Sequence, residues 1–251
     1  GAILDSAFTN FSTAAQANDV TQFDAVLLLS ETWADDRFEQ LSAAAEAGDT
    51  LDTSWSFAKT DEAESLIATR DDGARLLIIA GRQIVSLEKL EIHALATQFK
   101  YPDGEPAADI IAQANEAESL VIAPWGFGKW WGKRGTLLNE LMDQWSSEQL
   151  LLGDNSGRPW FLPRPDQFTR AITEQRCILP GSDPLPFPGE EKRVGGVGCM
   201  LSCRLDVKKP AAAIRASFRD NGIDTTTYMQ TERLIPFFRN QIGMQLRKKS
   251  S

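Results

Sequence analysis

Three continuous apolar runs constrain the fold of this chain more than any other feature: Asp24 to Ser30 (DAVLLLS), Ala74 to Ala80 (ARLLIIA), and Leu120 to Ala123, which stops at Pro124. Runs without polar alternation suit strands buried on both faces, and such strands belong to parallel sheets covered by helices. Segments with helical signatures lie between them. Trp33 to Gly48 carries Asp35 and Asp36 in its first turn, where acids complement the helix dipole, and ends at a glycine suited to a C-cap. Phe11 to Asn18, Asp61 to Thr69, Asp109 to Glu118, Leu137 to Trp145, Asp166 to Glu174, Ala211 to Asp220 and Thr231 to Leu246 read as further helices. Ile3 to Thr9, Thr53 to Ala58, Glu91 to Thr97, Gln149 to Leu152, Arg176 to Leu179 and an edge within Val197 to Val207 read as strands.

This alternation predicts an α/β fold with a parallel sheet, either closed or doubly wound, and places any site at the carboxyl ends of the strands. The first strand does not lead into a G-x-G-x-x-G turn, so a barrel is expected in preference to a dinucleotide-binding fold. A chain of 251 residues can bury one such core without dividing into separate units. Residues 1–205 are assigned to the barrel, and residues 206–251 to a helical extension packed on it.

The stretch Leu120 to Thr136, LVIAPWGFGKWWGKRGT, carries the densest chemistry. Its glycines let backbone N–H groups approach an anion, and Lys129, Lys133 and Arg134 could neutralise one. The glycine spacing is not that of a P-loop, and Arg134 stands where Ser or Thr would hold magnesium. The competing structural reading packs Trp125, Trp130 and Trp131 beneath a lid and leaves the cations solvated.

With 26 Lys and Arg against 35 Asp and Glu, the net charge of -9 argues against nucleic acid and anionic membranes as partners. A cationic loop in an acidic chain would instead focus a small anion. No apolar run reaches the length of a membrane span and no signal peptide is evident, which sets a cytoplasmic expectation. The chain starts at Gly1, so any targeting segment before it would be invisible. Cys177, Cys199 and Cys203 are odd in number and lack a surrounding cluster of Cys or His; they read as packing residues.

His93 is the single histidine, so a Ser-His-Asp or Cys-His hydrolase would have to use it. Strand alternation around Ile92 and Ala94 is read as setting it opposite to, or offset from, Glu91, and no G-x-S-x-G elbow is present. Metal-assisted chemistry would draw on the strand-end donors Asp5, Glu31, His93 and Asp183, enough for one divalent ion. For each of these residues, hydrogen bonding that caps a helix or turn competes with that role.

The succession of strand ends resembles the polymerase-and-histidinol-phosphatase family. That family's D-x-H-x-H motif is similar to Asp5, Ser6, Ala7, Phe8 and Thr9, its T-D-H to Ser30, Glu31 and Thr32, and its G-x-E to Gly81, Arg82 and Gln83. His93 followed by Asp103 and Gly104 resembles the next element. Ala123, Pro124, Trp125 and Gly126 resemble A-H-P-x-G, Asn155 suits E-x-x-N, and Gly181, Ser182, Asp183, Pro184 and Leu185 resemble G-S-D-A-H. The departures remove imidazoles and a bridging carboxylate throughout, with Gln83 keeping the shape of the glutamate and losing its charge.

The resemblance implies a distorted (β/α)7, TIM-like barrel with an eroded metal centre. The expected function is recognition of a small anionic or phosphorylated ligand by Gln83, Trp125, Lys129, Trp130, Trp131, Lys133, Arg134 and Asn155, with no cofactor. The alternative is a metal-dependent phosphoesterase with one Mn, Zn or Mg ion on Asp5, Glu31, His93 and Asp183. A third reading makes the aromatic loop and the basic tail Arg247, Lys248 and Lys249 contact surfaces for a protein partner.

Overall fold

The computed structural model describes residues 1–51, 53–155, 163–184, 187–219 and 225–229. The expected helix Thr231 to Leu246, the basic tail and the aromatic pair Trp160 and Phe161 lie outside them. Helix α1 (Ala2–Ala17) opens the chain, followed by β1 (Val26–Leu28), α2 (Arg37–Ala47), β2 (Trp55–Lys59), β3 (Ser65–Arg70) and β4 (Arg75–Ile79). Strands β5 (Gly81–Val85), β6 (Glu91–Leu95) and β7 (Leu120–Trp125) come next, with α3 (Ala107–Glu116) between the last two. Helix α4 (Lys133–Gln144), β8 (Leu151–Asp154), α5 (Asp166–Thr173), β9 (Ile178–Pro180), β10 (Val197–Leu201), α6 (Pro210–Arg219) and β11 (Thr225–Met229) complete the described elements.

These strands form three sheets, and none closes into a barrel. The first has the order β1-β4-β3-β2, the second β5-β6-β7-β8-β9, and β10 pairs with β11 in the third. The expected (β/α)7 barrel is therefore corrected to a mixed α/β fold with open sheets. A parallel crossover needs a dozen or more residues, whereas β3 to β4 and β5 to β6 are joined only by 71–74 and 86–90. Such short connections force antiparallel pairing in β2-β3-β4 and β5-β6, and β6 also pairs antiparallel with β7, although the long connection between them contains α3. Parallel pairing joins β1 with β4 and β7 with β8 and β9, where α4 and α5 supply the crossovers, and a single parallel bridge pairs Glu31 with Arg82. Without a closed barrel the fold gives no support to the expectation of a phosphoesterase.

Two local features account for the difference from a barrel. Asp61 to Thr69 is not helical; its second half is strand β3, which forms a hairpin with β4 across Asp71, Asp72 and Gly73. Gly81 to Gln83 does not end a strand but begins β5, which continues β4 past Ala80 into the second sheet. The segment after β1 follows this passage: Leu29 N–H bonds Ile79 O at 2.9 Å, Glu31 N–H bonds Gly81 O at 3.0 Å, and Gln83 N–H bonds Glu31 O at 2.8 Å.

Ile3 to Thr9 is likewise helix, not strand. Leu4, Ala7, Phe8, Phe11, Ala14 and Ala15 recur at helical spacing, and the first four of them pack on the first sheet with Trp55, Leu66 and Ile78. Alanine-rich composition favours the helix further. The second sheet buries one face under α3, α4 and α5, with Ile92, Val121, Leu152 and Phe168 in that core. Its other face meets α6 through Leu120, Ile122, Ala211 and Ile214. Glu62 fixes α6 by accepting N–H bonds from Ala211 at 2.5 Å and Ala212 at 3.1 Å, satisfying donors that a helix start leaves open. Among the described residues, no helix is long and apolar enough to cross a membrane.

Candidate functional site

All six residues of β7 are buried, consistent with a central strand covered on both faces. Its pairing with β6 runs over Leu120 to Ile122 against His93 to Leu95 and stops before Pro124, which has no N–H to donate. Beyond that point β7 pairs only with β8, Pro124 opposite Gly153 and Trp125 opposite Asp154. Lys129, from the loop that follows, crosses back to the first residue of β6 and places Nζ 2.6 Å from Glu91 Oε2. Gly126 makes room for this crossing, since a Cβ there would stand 2.6 Å from Lys129 Cδ.

Glu91 also meets His93, with Oε1 3.1 Å from Nε2. The expectation that these side chains are opposed or offset is corrected by the strand period of two, which puts residues two apart on one face. Gln83 stands opposite His93 in the β5-β6 register and is half-buried. Burial pushes the Glu91 carboxyl up, but the hydrogen bond with His93 and the charge of Lys129 outweigh it and hold the group at about 2.

That depression makes a prediction for stability. A carboxyl held from its usual 4.5 down to about 2 stabilises the fold fully above pH 4.5 and loses that contribution as pH falls through about 2. The contribution is on the order of 3 kcal/mol. Urea unfolding of Glu91→Gln is therefore expected to show a deficit at neutral pH that narrows between pH 4.5 and pH 2; a deficit independent of pH would contradict the assigned ion pairing.

The loop between β7 and α4 divides its aromatic residues. Trp125 and Trp130 are buried, and Trp130 meets Phe168 edge-on at 5.1 Å between ring centroids. Trp131 is 60% exposed and Phe127 45%, packed edge-on against each other at 5.0 Å. Arg134 anchors the loop, donating from Nη2 to Gly128 O at 2.7 Å and from Nη1 to Lys89 O at 3.4 Å. Lys133 is exposed. Helix α4 starts at these two cations with Gly132 as N-cap, no side-chain capping bond and no acid in its first turn.

Trp125, Asp154 and Pro180 are in register, so the carboxyl ends of β7, β8 and β9 lie side by side. Asn155 and Asp183 follow the latter two strands and meet there, Asn155 Nδ2 donating to Asp183 Oδ2 at 2.8 Å. Asp183 has φ 36°, an uncommon backbone for a residue with a side chain.

The other two proposed metal donors stand elsewhere. Asp5 lies on α1 and accepts bonds from Trp55 Nε1 at 3.0 Å and Arg70 Nη1 at 3.2 Å, tying the helix to the first sheet. Glu31 is buried where the first two sheets meet; its Oε1 accepts the Phe38 N–H at 2.9 Å, at the start of α2. Its Oε2 lies 3.3 Å from Arg82 Nη1, a charge contact whose angles do not make a hydrogen bond. Among the described residues no three His, Cys, Asp or Glu side chains gather as metal ligands. This donor geometry gives no fit to a Mn, Zn or Mg site on Asp5, Glu31, His93 and Asp183.

Cys177 and Cys199 are half-buried, and burial pushes their thiols up to about 11 and about 12; Cys203 is exposed. Sequence reasoning named Lys129 and His93 but missed Glu91, which joins them. The signal was present in the period of two across Glu91, Ile92 and His93. The chain matches no protein-family model, and no curated protein matches it significantly, so neither comparison bears on the resemblance drawn from the strand-end motifs.

Proposed function

We propose that this chain binds a small anionic ligand, a phosphorylated compound among the candidates, at the carboxyl ends of β7, β8 and β9. The observation that carries the reading is the start of α4: Lys133 and Arg134 form no ion pair among the described residues, beside a helix N-terminus without an acid or side-chain cap. A helix start offers open N–H donors and the positive end of the dipole, and two uncompensated cations add to both. Its place agrees with the general rule that ligands of open α/β sheets bind beyond the carboxyl ends of parallel strands. Recognition is favoured over hydrolysis because Glu91 is already engaged by Lys129 and His93, which leaves no free carboxylate among these three groups to activate water.

Calorimetric titration with inorganic pyrophosphate tests this reading. Wild type is expected to bind, more weakly at high salt, and Lys133→Ala to bind about tenfold more weakly, as loss of a charge-assisted contact implies. The absence of binding by wild type, or equal affinity in Lys133→Ala, would overturn it. Trp131 supplies a second reading, because a tryptophan 60% exposed beside Phe127 suits contact with a protein partner. On that reading Trp131→Ala leaves pyrophosphate binding intact and abolishes partner capture.

A further inference from the structure

We propose that a cavity of about 380 Å³ between α1, β10 and α6 is a second, separate site, which takes a small apolar molecule carrying an ammonium group. Phe11 of α1, Val26 of β1, Leu201 of β10 and Ile214 of α6 contribute apolar walls, and Phe23 closes one side from the connection between α1 and β1. Its volume falls in the range of about 300–1,000 Å³ typical of small-molecule sites, which are mostly apolar with a few orienting polar groups.

The charge in the wall selects the ligand class. Among the described lining residues Asp24 alone carries a formal charge at neutral pH; burial keeps the Cys199 thiol neutral by pushing it up to about 12. The Tyr228 hydroxyl is engaged, donating to Gly195 O at 3.2 Å. Asp24 lies in the connection just before β1 and lines the cavity together with Phe23, Ala25 and Val26. A neighbouring cavity of about 300 Å³ shares Gln22, Phe23, Asp24 and Ala25 and adds Arg75, but no ion pair joins Arg75 to Asp24. The carboxylate therefore stands exposed at the rim of the cavity, without an ion-pair partner among the described residues. An anionic ligand would meet a like charge there and an ammonium ion an opposite one, while the apolar walls take the rest of the molecule.

Calorimetry with decylamine, decanol and decanoate, each below its solubility or micellar limit, tests the assignment on the full chain. Decylamine is expected to bind about threefold more tightly than decanol, as an exposed ion pair implies, with decanoate weakest. Asp24→Asn, a change at an exposed position, is expected to abolish the preference for the amine while its circular dichroism matches wild type. Binding of decanol or decanoate as tight as that of decylamine, unchanged decylamine affinity in Asp24→Asn, or no binding of any of the three would each overturn the proposal. The pyrophosphate reading does not depend on these outcomes, because no residue is shared between the two sites.

Discussion

Arg176→Met is expected to destabilise the fold by about 3–5 kcal/mol, the range for removing one partner from a buried charged network. Arg176 is 4% exposed and sits between α5 and β9. Its guanidinium donates from Nη2 to Met142 O and Trp145 O, each at 3.0 Å, and from Nη1 to Ser146 O at 2.9 Å and to Leu150 O. Glu174 Oε2 supplies the counter-charge at 3.3 Å. The carbonyls of Met142 and Trp145 belong to the end of α4, where a helix leaves its last acceptors open. One side chain therefore closes α4, holds the turn that follows and fixes the entry to β8. Methionine keeps much of the volume but donates nothing, leaving several buried carbonyls without this partner at about 1–3 kcal/mol each before relaxation. Urea unfolding measures the loss; a change below about 1 kcal/mol would show that water or backbone shifts replace the guanidinium.

Gly81→Ala is the second large effect, about 3 kcal/mol, at the upper end of the range for inserting a methyl group into a packed interior. A Cβ at Gly81 would stand 2.3 Å from Leu29 O and 2.6 Å from Leu95 Cδ2. Neither neighbour moves freely. Leu29 is held by its N–H bond to Ile79 O, and Leu95 is the ladder partner of Gly81 between β5 and β6. The strand that passes from the first sheet to the second thus has room for a third chain only where a side chain is missing. Gly181→Ala is the control, because nothing lies within 4 Å of a Cβ there and a near-neutral effect is expected. Equal thermal shifts for the two variants would contradict this account of the junction.

The parts of the fold legible in the sequence are those set by local pattern. Ala74 to Ala80 and Leu120 to Ala123 are recognisable as buried strands because a long run of leucine and isoleucine needs cover on both faces, and they form the bodies of β4 and β7. Trp33 to Gly48 contains α2, and Gly48 takes the left-handed C-cap conformation with φ 66°. Short segments were ambiguous. Ser65 to Arg70 is compatible with either period, and reading it as helix replaces the β3-β4 hairpin with a helical crossover that a parallel barrel would need. Gly81 illustrates a different limit, because a glycine needed for close approach of another chain looks in sequence like one that ends a strand.

The candidate site was legible to a similar depth. The loop cations and Trp131 could be named from composition, but the burial of Trp125 and Trp130 depends on helices far along the chain. Asn155 and Asp183 do meet, through two crossovers no local signal specifies. Asp5 and Glu31 looked like strand-end ligands, yet tertiary partners decide their roles: Trp55 and Arg70 for one, Phe38 and Arg82 for the other. Arg176 gave no sequence signal, because its acceptors are backbone carbonyls.

The central claim is that a small anion binds where β7 hands over to α4. The most direct measurement is backbone amide NMR during titration with inorganic pyrophosphate. Saturable shifts are predicted for the amides from Gly126 to Thr136, largest at Lys133 and Arg134 where N–H groups and side-chain charge coincide, with smaller shifts at Asn155. Titration without saturable shifts in this segment, or with shifts confined to the first sheet, would contradict it.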